Sequence, residues 1–316
     1  MRFSVVTASF RQLDWLKCCA LSVADQGVDV EHIIQDGGTG PELEAWVRAH
    51  TAADLVMEPD HGMYDALNRG FARATGDILA WLNCDEQYLP GALKSAEERF
   101  EAEPELDVLL ADNLIVDPQG EYFAHRFSLV PTFAQMWVRF PVGSCALFFR
   151  RRVWQPFDTQ WKSVGDWWWF RAMVERGAHM GILRRFVSVF TETQSNLGLA
   201  LVSGPEHDRI LASRPWWARG AFKQLLLARH RWRMWRSGAF AVRPFTYSIY
   251  TRDSLSWNTG VQFGPDAPGT VSSGSVSVQP GINREPTEPL LIPKRREFTV
   301  SLPTGRWIRP KIGILE

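Results

Sequence analysis

The apolar run Ile78–Leu82 stops abruptly at Asn83-Cys84-Asp85-Glu86. Two adjacent carboxylates at the end of an apolar strand are placed to hold a hard divalent cation. Mg2+ or Mn2+ prefers oxygen ligands, usually one or two carboxylates completed by water and substrate phosphates. With no His beside them, the pair suggests a metal shared with a diphosphate and not a zinc site. The same pair suits a helix N-cap or a solvated loop, and spacing alone leaves both open. Asp36-Gly37-Gly38 follows another apolar run. Its carboxylate could bond a base or ribose while the glycines admit a ligand close to the backbone, or the triplet is an ordinary turn. In 58–70 (Glu-Pro-Asp-His-Gly-Met-Tyr-Asp-Ala-Leu-Asn-Arg-Gly), Asp65, Asn68 and Arg69 fall within two helical turns, opposite Leu67 and Phe71.

Positioning these residues requires strands alternating with helices. Strand-like runs at Phe3–Ala8, Val30–Gln35, Leu55–Met57 and Asp77–Leu82 alternate with helical spacing at Arg11–Asp25, from Pro41, at Met63–Ala74 and at Gly91–Glu103. That alternation implies right-handed crossovers and a mostly parallel central sheet in an α/β fold. Open sheets of this kind bind ligands beyond the carboxyl ends of their strands. The rule points to Ser9, Asp36, Pro59–His61 and Asn83–Glu86.

Composition narrows the classes. The 316 residues carry 35 basic and 35 acidic side chains, so a whole-protein nucleic-acid footprint is not expected. No run approaches the roughly 18 apolar residues that span a bilayer. Cys18, Cys19, Cys84 and Cys145 match neither a disulfide framework nor a zinc motif. We therefore read a cytoplasmic protein with reduced thiols. About two domains are expected from the length, with boundaries placed near 200 and 245. Residues 206–243 hold eight Arg and one Lys against one Glu and one Asp, interleaved with Trp216, Trp217, Trp232 and Trp235. Such a helical segment suits peripheral contact with an anionic membrane, at the inner face of the plasma membrane, or packing on the main domain with a solvated Arg face. Residues 246–316 read as a small β-rich appendage, used in oligomerisation or glycan contact, or as a partly mobile tail. Val271–Val278 and Phe298–Leu302 are its β-like runs.

Four segments occur together in one order: Val5-Val6-Thr7-Ala8-Ser9-Phe10, Ile33-Ile34-Gln35-Asp36-Gly37-Gly38, the 58–70 segment, and Ala74-Thr75-Gly76-Asp77 through Glu86. In this the chain resembles family 2 glycosyltransferases, in the bacterial branch that builds surface polysaccharides, over roughly residues 1–195. The resemblance implies a GT-A fold, a nucleotide-sugar donor (a UDP-sugar first), Mn2+ or Mg2+, and inversion at the anomeric carbon. It implies Thr7, Ser9 and Asp36 around the nucleoside, Asn68 and Asp85 near the donor, and Asp85 and Glu86 as metal ligands. Gly143-Ser144-Cys145-Ala146-Leu147 resembles the family's acceptor-side strand. Asp166, ahead of Trp167-Trp168-Trp169, occupies the place of its general base. Read from the residues alone, Asp166 is equally an N-cap. Gly143, Ser144 and Trp167 are the acceptor-side candidates, although successive helical residues diverge by about 100° and all three tryptophans cannot share one face. The chain departs from the family at Ala8, where Pro is usual, at Thr39-Gly40-Pro41-Glu42 after the second strand, and at Glu86, where Asp is usual. His32, His125 and His179 read as structural or surface histidines.

The function expected is therefore transfer of a sugar to a glycan or lipid-linked acceptor. The competing readings are a nucleotide-sugar or glycan binding protein without transfer, and a nucleotidyltransferase. The last would carry a Gly-rich basic loop after the first strand, and Thr7–Arg11 has no Gly.

Overall fold

The structure is a computed structural model that describes residues 1–193, 196, 203–240, 244–252 and 293–300. Val271–Val278, Arg243 and the last two residues of Phe298–Leu302 lie outside the described residues.

Strand β1 (Phe3–Ser9) is buried along its whole length, with β2 (Val30–Asp36) on one side and β4 (Ile78–Asn83) on the other, both parallel to it. Strand β3 (Asp54–Met57) extends this parallel half beyond β2. A central strand covered on both faces has no polar side to show, which is why it reads as a continuous apolar run. Val6 and Ala8 enter the core beneath helix α3 (Met63–Arg73). Phe3 and Val5 enter the opposite core, with Cys19 and Val23 of α1 (Leu13–Ala24) and Leu93, Ala96 and Phe100 of α4 (Ala92–Ala102). The pleat sends alternate residues to opposite faces. Helix α2 (Pro41–His50), begun by a proline whose missing N–H costs nothing there, buries Trp46 and Val47 in a third cluster.

Beyond β4 the sheet turns mixed. Strand β8 (Leu147–Arg150) runs antiparallel to β4, and β6 (Val108–Val116) antiparallel to β8. Strand β9 (Met180–Thr191) is parallel to β6, while β7 (Tyr122–Arg126) pairs antiparallel on β6. The order is β3-β2-β1-β4-β8-β6-β9-β5. Its last member, β5 (Glu86–Tyr88), pairs antiparallel with β9, Glu86 opposite Phe190. Glu86, expected in a loop with Asp85, is thus the first residue of a buried strand. Short helix α5 (Phe133–Met136), capped by a reciprocal Thr132–Gln135 pair, and α6 (Gly165–Glu175) cover this half.

The basic segment forms α7 (Ser203–Ala212) and α8 (Gly220–Arg236). Strands β10 (Phe245–Thr251) and β11 (Lys294–Val300) pair antiparallel. Tyr247, Ile249 and Val300 pack with Leu89, Leu114, Val116 and Val189, so the described part of 246–316 lies on the main sheet.

One glycine fixes a close approach. A Cβ on Gly70 would sit 2.4 Å from Val6 Cγ1, so only glycine lets α3 lie this close to β1. Leu67 and Phe71 flank that contact in the core, each burial worth about 1.5–3 kcal/mol.

Candidate active site

The parallel register places the strand ends side by side: Ser9 opposite Asp36, Asp36 opposite Met57, and Ala8 opposite Asn83. The expected loops therefore meet at one end of the sheet. Ser9 is buried and its hydroxyl has no partner among the described residues. A buried donor with nothing to bond is costly, so it marks a place where a polar ligand would be favourable. Asp36 is buried too, but its carboxylate accepts the N–H groups of Gly38 (2.9 Å) and Thr39 (2.6 Å) and the Thr39 hydroxyl (2.7 Å). Thr39 Oγ1 in turn accepts the Arg11 N–H at 2.7 Å, tying the loops after β1 and β2 together. Arg11 holds φ 55°, a left-handed conformation uncommon outside glycine. Phe10 beside it is half exposed, with the Arg11 guanidinium 4.8 Å from its ring centre.

Thr7 is set deeper than a ligand contact needs. It is fully buried, and its hydroxyl lies 3.0 Å from His32 Nε2. Burial takes His32 down to about 3, so this ring is neutral and structural. Asn68 is likewise engaged: Nδ2 donates to the Phe157 carbonyl (2.9 Å) and Oδ1 accepts the Phe157 N–H (2.8 Å). It fastens α3 to the segment leading to Asp166.

At the tip of β4 the two carboxylates part company. Asp85 is half-buried and accepts a bond from Asn196 Nδ2 at 3.0 Å; burial raises it to about 6. Glu86 is fully buried. Its Oε2 accepts the Asn83 N–H at 2.8 Å and its Oε1 has no partner among the described residues. Burial first, then the Asp85 charge, raise it to about 8, so it is mostly protonated at neutral pH. As a ligand for a hard cation it is the less accessible of the two carboxylates, being the more deeply buried. Asp85 fits that role as a single carboxylate, and no group of three or more His, Cys, Asp or Glu among the described residues could hold a metal unaided.

Asp166 occupies the first turn of α6. Its Oδ1 accepts the Trp167 N–H (2.9 Å) and lies 3.3 Å from the Tyr64 hydroxyl, which itself accepts the Asp166 N–H (3.1 Å). Tyr64 has one proton to give, shared between Asp166 Oδ1 and the Ser163 carbonyl at 3.0 Å. Burial raises Asp166 to about 6, opposed by those bonds and by the Arg126 charge. It therefore remains mostly ionised at neutral pH while being easier to protonate than an ordinary aspartate. Arg126, on β7, donates to the Val142 carbonyl at 3.0 Å. Burial lowers its value, and an ionised Asp166 works the other way.

On the proposed acceptor side, Gly143 is pressed against Asn113; a Cβ there would lie 2.3 Å from Asn113 Oδ1. Ser144 is half-buried beside it. Trp167, by contrast, is only 5% exposed. Its Nε1 donates to the Met136 carbonyl (2.7 Å) and its ring lies nearly parallel to Phe140. It is core, as is Trp169; the half-buried member of the triplet is Trp168, with the Arg171 guanidinium 3.7 Å from its ring centre.

Several residues here were not singled out from sequence. Tyr64 sits inside the 58–70 segment and Arg126 in an unremarked aromatic strand. Glu206 of α7 is the clearest omission. Buried, it accepts the N–H groups of Lys162 (2.6 Å), Ser163 (2.9 Å) and Val164 (3.2 Å), the turn that delivers Asp166. An acid within a run of arginines was the available signal.

The chain has counterparts among known proteins. The model of glycosyl transferase family 2 matches residues 4–155. An uncharacterized glycosyltransferase of Mycobacterium tuberculosis is 39% identical over 89 residues, 27% of this chain and 34% of that protein. A PGL/p-HBAD biosynthesis glycosyltransferase of Mycobacterium bovis is 25% identical over 174 residues, 52% of this chain and 66% of that one. The chain thus spans about a third of the first relative's length and just under two thirds of the second's. Among solved structures, S. aureus TarS 1–349 in complex with UDP-GlcNAc superposes with a TM-score of 0.55 at 17% identity, covering 76% of this chain and 75% of that one. That likeness establishes the GT-A fold.

Proposed function

Because residues 4–155 belong to glycosyl transferase family 2, we propose that the protein moves a sugar from a nucleoside-diphosphate donor to a hydroxyl of a glycan or lipid-linked acceptor, with inversion, in surface polysaccharide assembly. The observation that carries this reading is Asp166: a half-buried carboxylate in the first turn of α6, held by the Trp167 N–H and the Tyr64 hydroxyl and raised by burial to about 6. In the step proposed, the acceptor oxygen attacks the anomeric carbon as its proton passes to Asp166. The new glycosidic bond forms while the bond from that carbon to the donor's phosphate oxygen breaks, and the nucleoside diphosphate leaves with the bonding pair. A positioned base of this kind contributes about 10²–10⁴-fold.

Ser9, with its unpartnered hydroxyl, and the loop braced by Asp36 support a nucleoside site at the ends of β1 and β2. The bound UDP-GlcNAc of TarS makes a UDP-sugar the donor to test first. Asp85 would hold Mg2+ or Mn2+ together with the donor's diphosphate, where the cation would neutralise charge on the leaving group.

Calorimetry with UDP, with and without Mn2+, followed by assay of donor hydrolysis, tests this. UDP should bind more tightly with Mn2+, and Asp85→Asn should abolish that difference. UDP binding indifferent to both would remove the metal from the reading. Donor binding without any turnover would favour the non-transferring alternative.

A further inference from the structure

The outward face of α8 is apolar where a solvated helix should be polar. Its inward face is already occupied: Leu226 is buried, and Arg233 donates to Gln135 Oε1 (3.0 Å) and the Val130 carbonyl (2.7 Å). His230, on the same side, is lowered to about 4, first by burial. On the opposite side Leu225, Trp232 and Trp235 are 61%, 53% and 60% exposed. Leu225, Ala228, Trp232 and Trp235 follow one another at intervals of three, four and three residues. At about 100° per residue this is one continuous stripe. Arg229 and Arg236 flank it on one side and Arg231 on the other, all three exposed. The Arg236 guanidinium lies 4.9 Å from the centre of the Trp232 ring. In the turn that precedes α8, Trp216 is 84% exposed.

We propose that this face of α8, with Trp216, lies in the interface of an anionic bilayer. Bulky apolar side chains flanked by arginines are the pattern of a helix lying in the membrane plane, aromatic rings at the acyl boundary and guanidinium groups among the phosphates. Charge complementarity selects this occupant. Acidic residues that could answer a second copy's arginines are missing from the described outward face, so like copies would oppose one another. No helix among the described residues is long and apolar enough to cross a membrane. The contact is therefore lateral, with the inward face holding the catalytic unit against the surface. The inference concerns attachment alone and is independent of the donor chemistry.

Flotation of the full chain with vesicles of phosphatidylcholine alone, or with about one third phosphatidylglycerol, tests it. Binding to the anionic vesicles, at least tenfold weaker to neutral ones and at least tenfold weaker for the Leu225→Asp/Trp232→Asp double variant, is expected. Both sites are exposed, so the variant should unfold at the parental temperature. Arg229→Glu/Arg231→Glu should reduce anionic binding while leaving the aromatic stripe in place. Absence of flotation, or equal flotation of parent and double variant, overturns the proposal. Self-association of the parent that the double variant loses, without vesicle binding, overturns it in favour of a second copy.

Discussion

Replacing Asp166 by Asn separates what this side chain costs the fold from what it gives the reaction. The amide keeps the shape and an oxygen able to accept the Trp167 N–H, so the start of α6 should persist. The carboxyl's rise from 3.8 to about 6 works against the ionised form in the folded state. At about 1.4 kcal/mol per pH unit the penalty approaches about 3 kcal/mol, and partial exposure reduces it to about 1–2 kcal/mol. The sign follows from linkage: an acid whose folded value lies above its unfolded value loses stability as pH rises from about 4 to about 6, and the deficit persists above that. Asp166→Asn should therefore match the parent near pH 4 and exceed it by about 1–2 kcal/mol at pH 8, read by urea unfolding at both pH values. Loss of the base should lower transfer by about 10²–10⁴-fold, or about 3–5 kcal/mol of barrier, with nucleotide binding retained. More stable and less active is the signature of a carboxylate held for function. Transfer within tenfold of the parent would end the base assignment. A variant less stable at pH 8 would refute the burial argument.

Two further substitutions probe the same neighbourhood. Tyr64→Phe removes a hydroxyl that lowers the Asp166 value and accepts its N–H. The acid limb of the rate–pH profile should move upward, with a stability loss of about 1–2 kcal/mol; an unmoved limb would show that Tyr64 does not tune the base. Glu86→Gln retains an acceptor for the Asn83 N–H and removes a carboxyl raised to about 8. Its stability advantage should be absent at pH 4 and grow through neutrality toward pH 8, with UDP binding in Mn2+ unchanged. A loss of Mn2+-dependent binding would instead make Glu86 a ligand.

The parallel half of the sheet was legible because its short, largely apolar strands alternate with segments of helical spacing. Beyond Asn83 that logic fails. Strand β5 has three residues, too few for a period, and its partner β9 lies about a hundred residues away. So Glu86 read as loop when it is strand. Depth was equally invisible. Thr7 lies two residues before Ser9, which at about 3.3 Å per residue sets it well back from the tip, beside His32. Trp167 could not be placed because α6 is apolar nearly all round, leaving its rotational phase unreadable; the structure turns Trp167 and Trp169 inward. Asn68 was recognised as part of a polar edge, but a bond to a backbone eighty-nine residues away has no local signature. The order of motifs, in contrast, did locate the four loops that converge on the strand tips.

The segment from Phe157 to Asp166 is gripped through its main chain. Asn68 takes the N–H and carbonyl of Phe157, Tyr64 the carbonyl of Ser163 and the N–H of Asp166, and Glu206 three consecutive N–H groups. Peptide groups are alike whatever side chain they bear. Exposed positions such as Thr159 and Gln160 can thus be rewritten without loosening the clasp, so the surface of this segment can vary while Asp166 keeps its place.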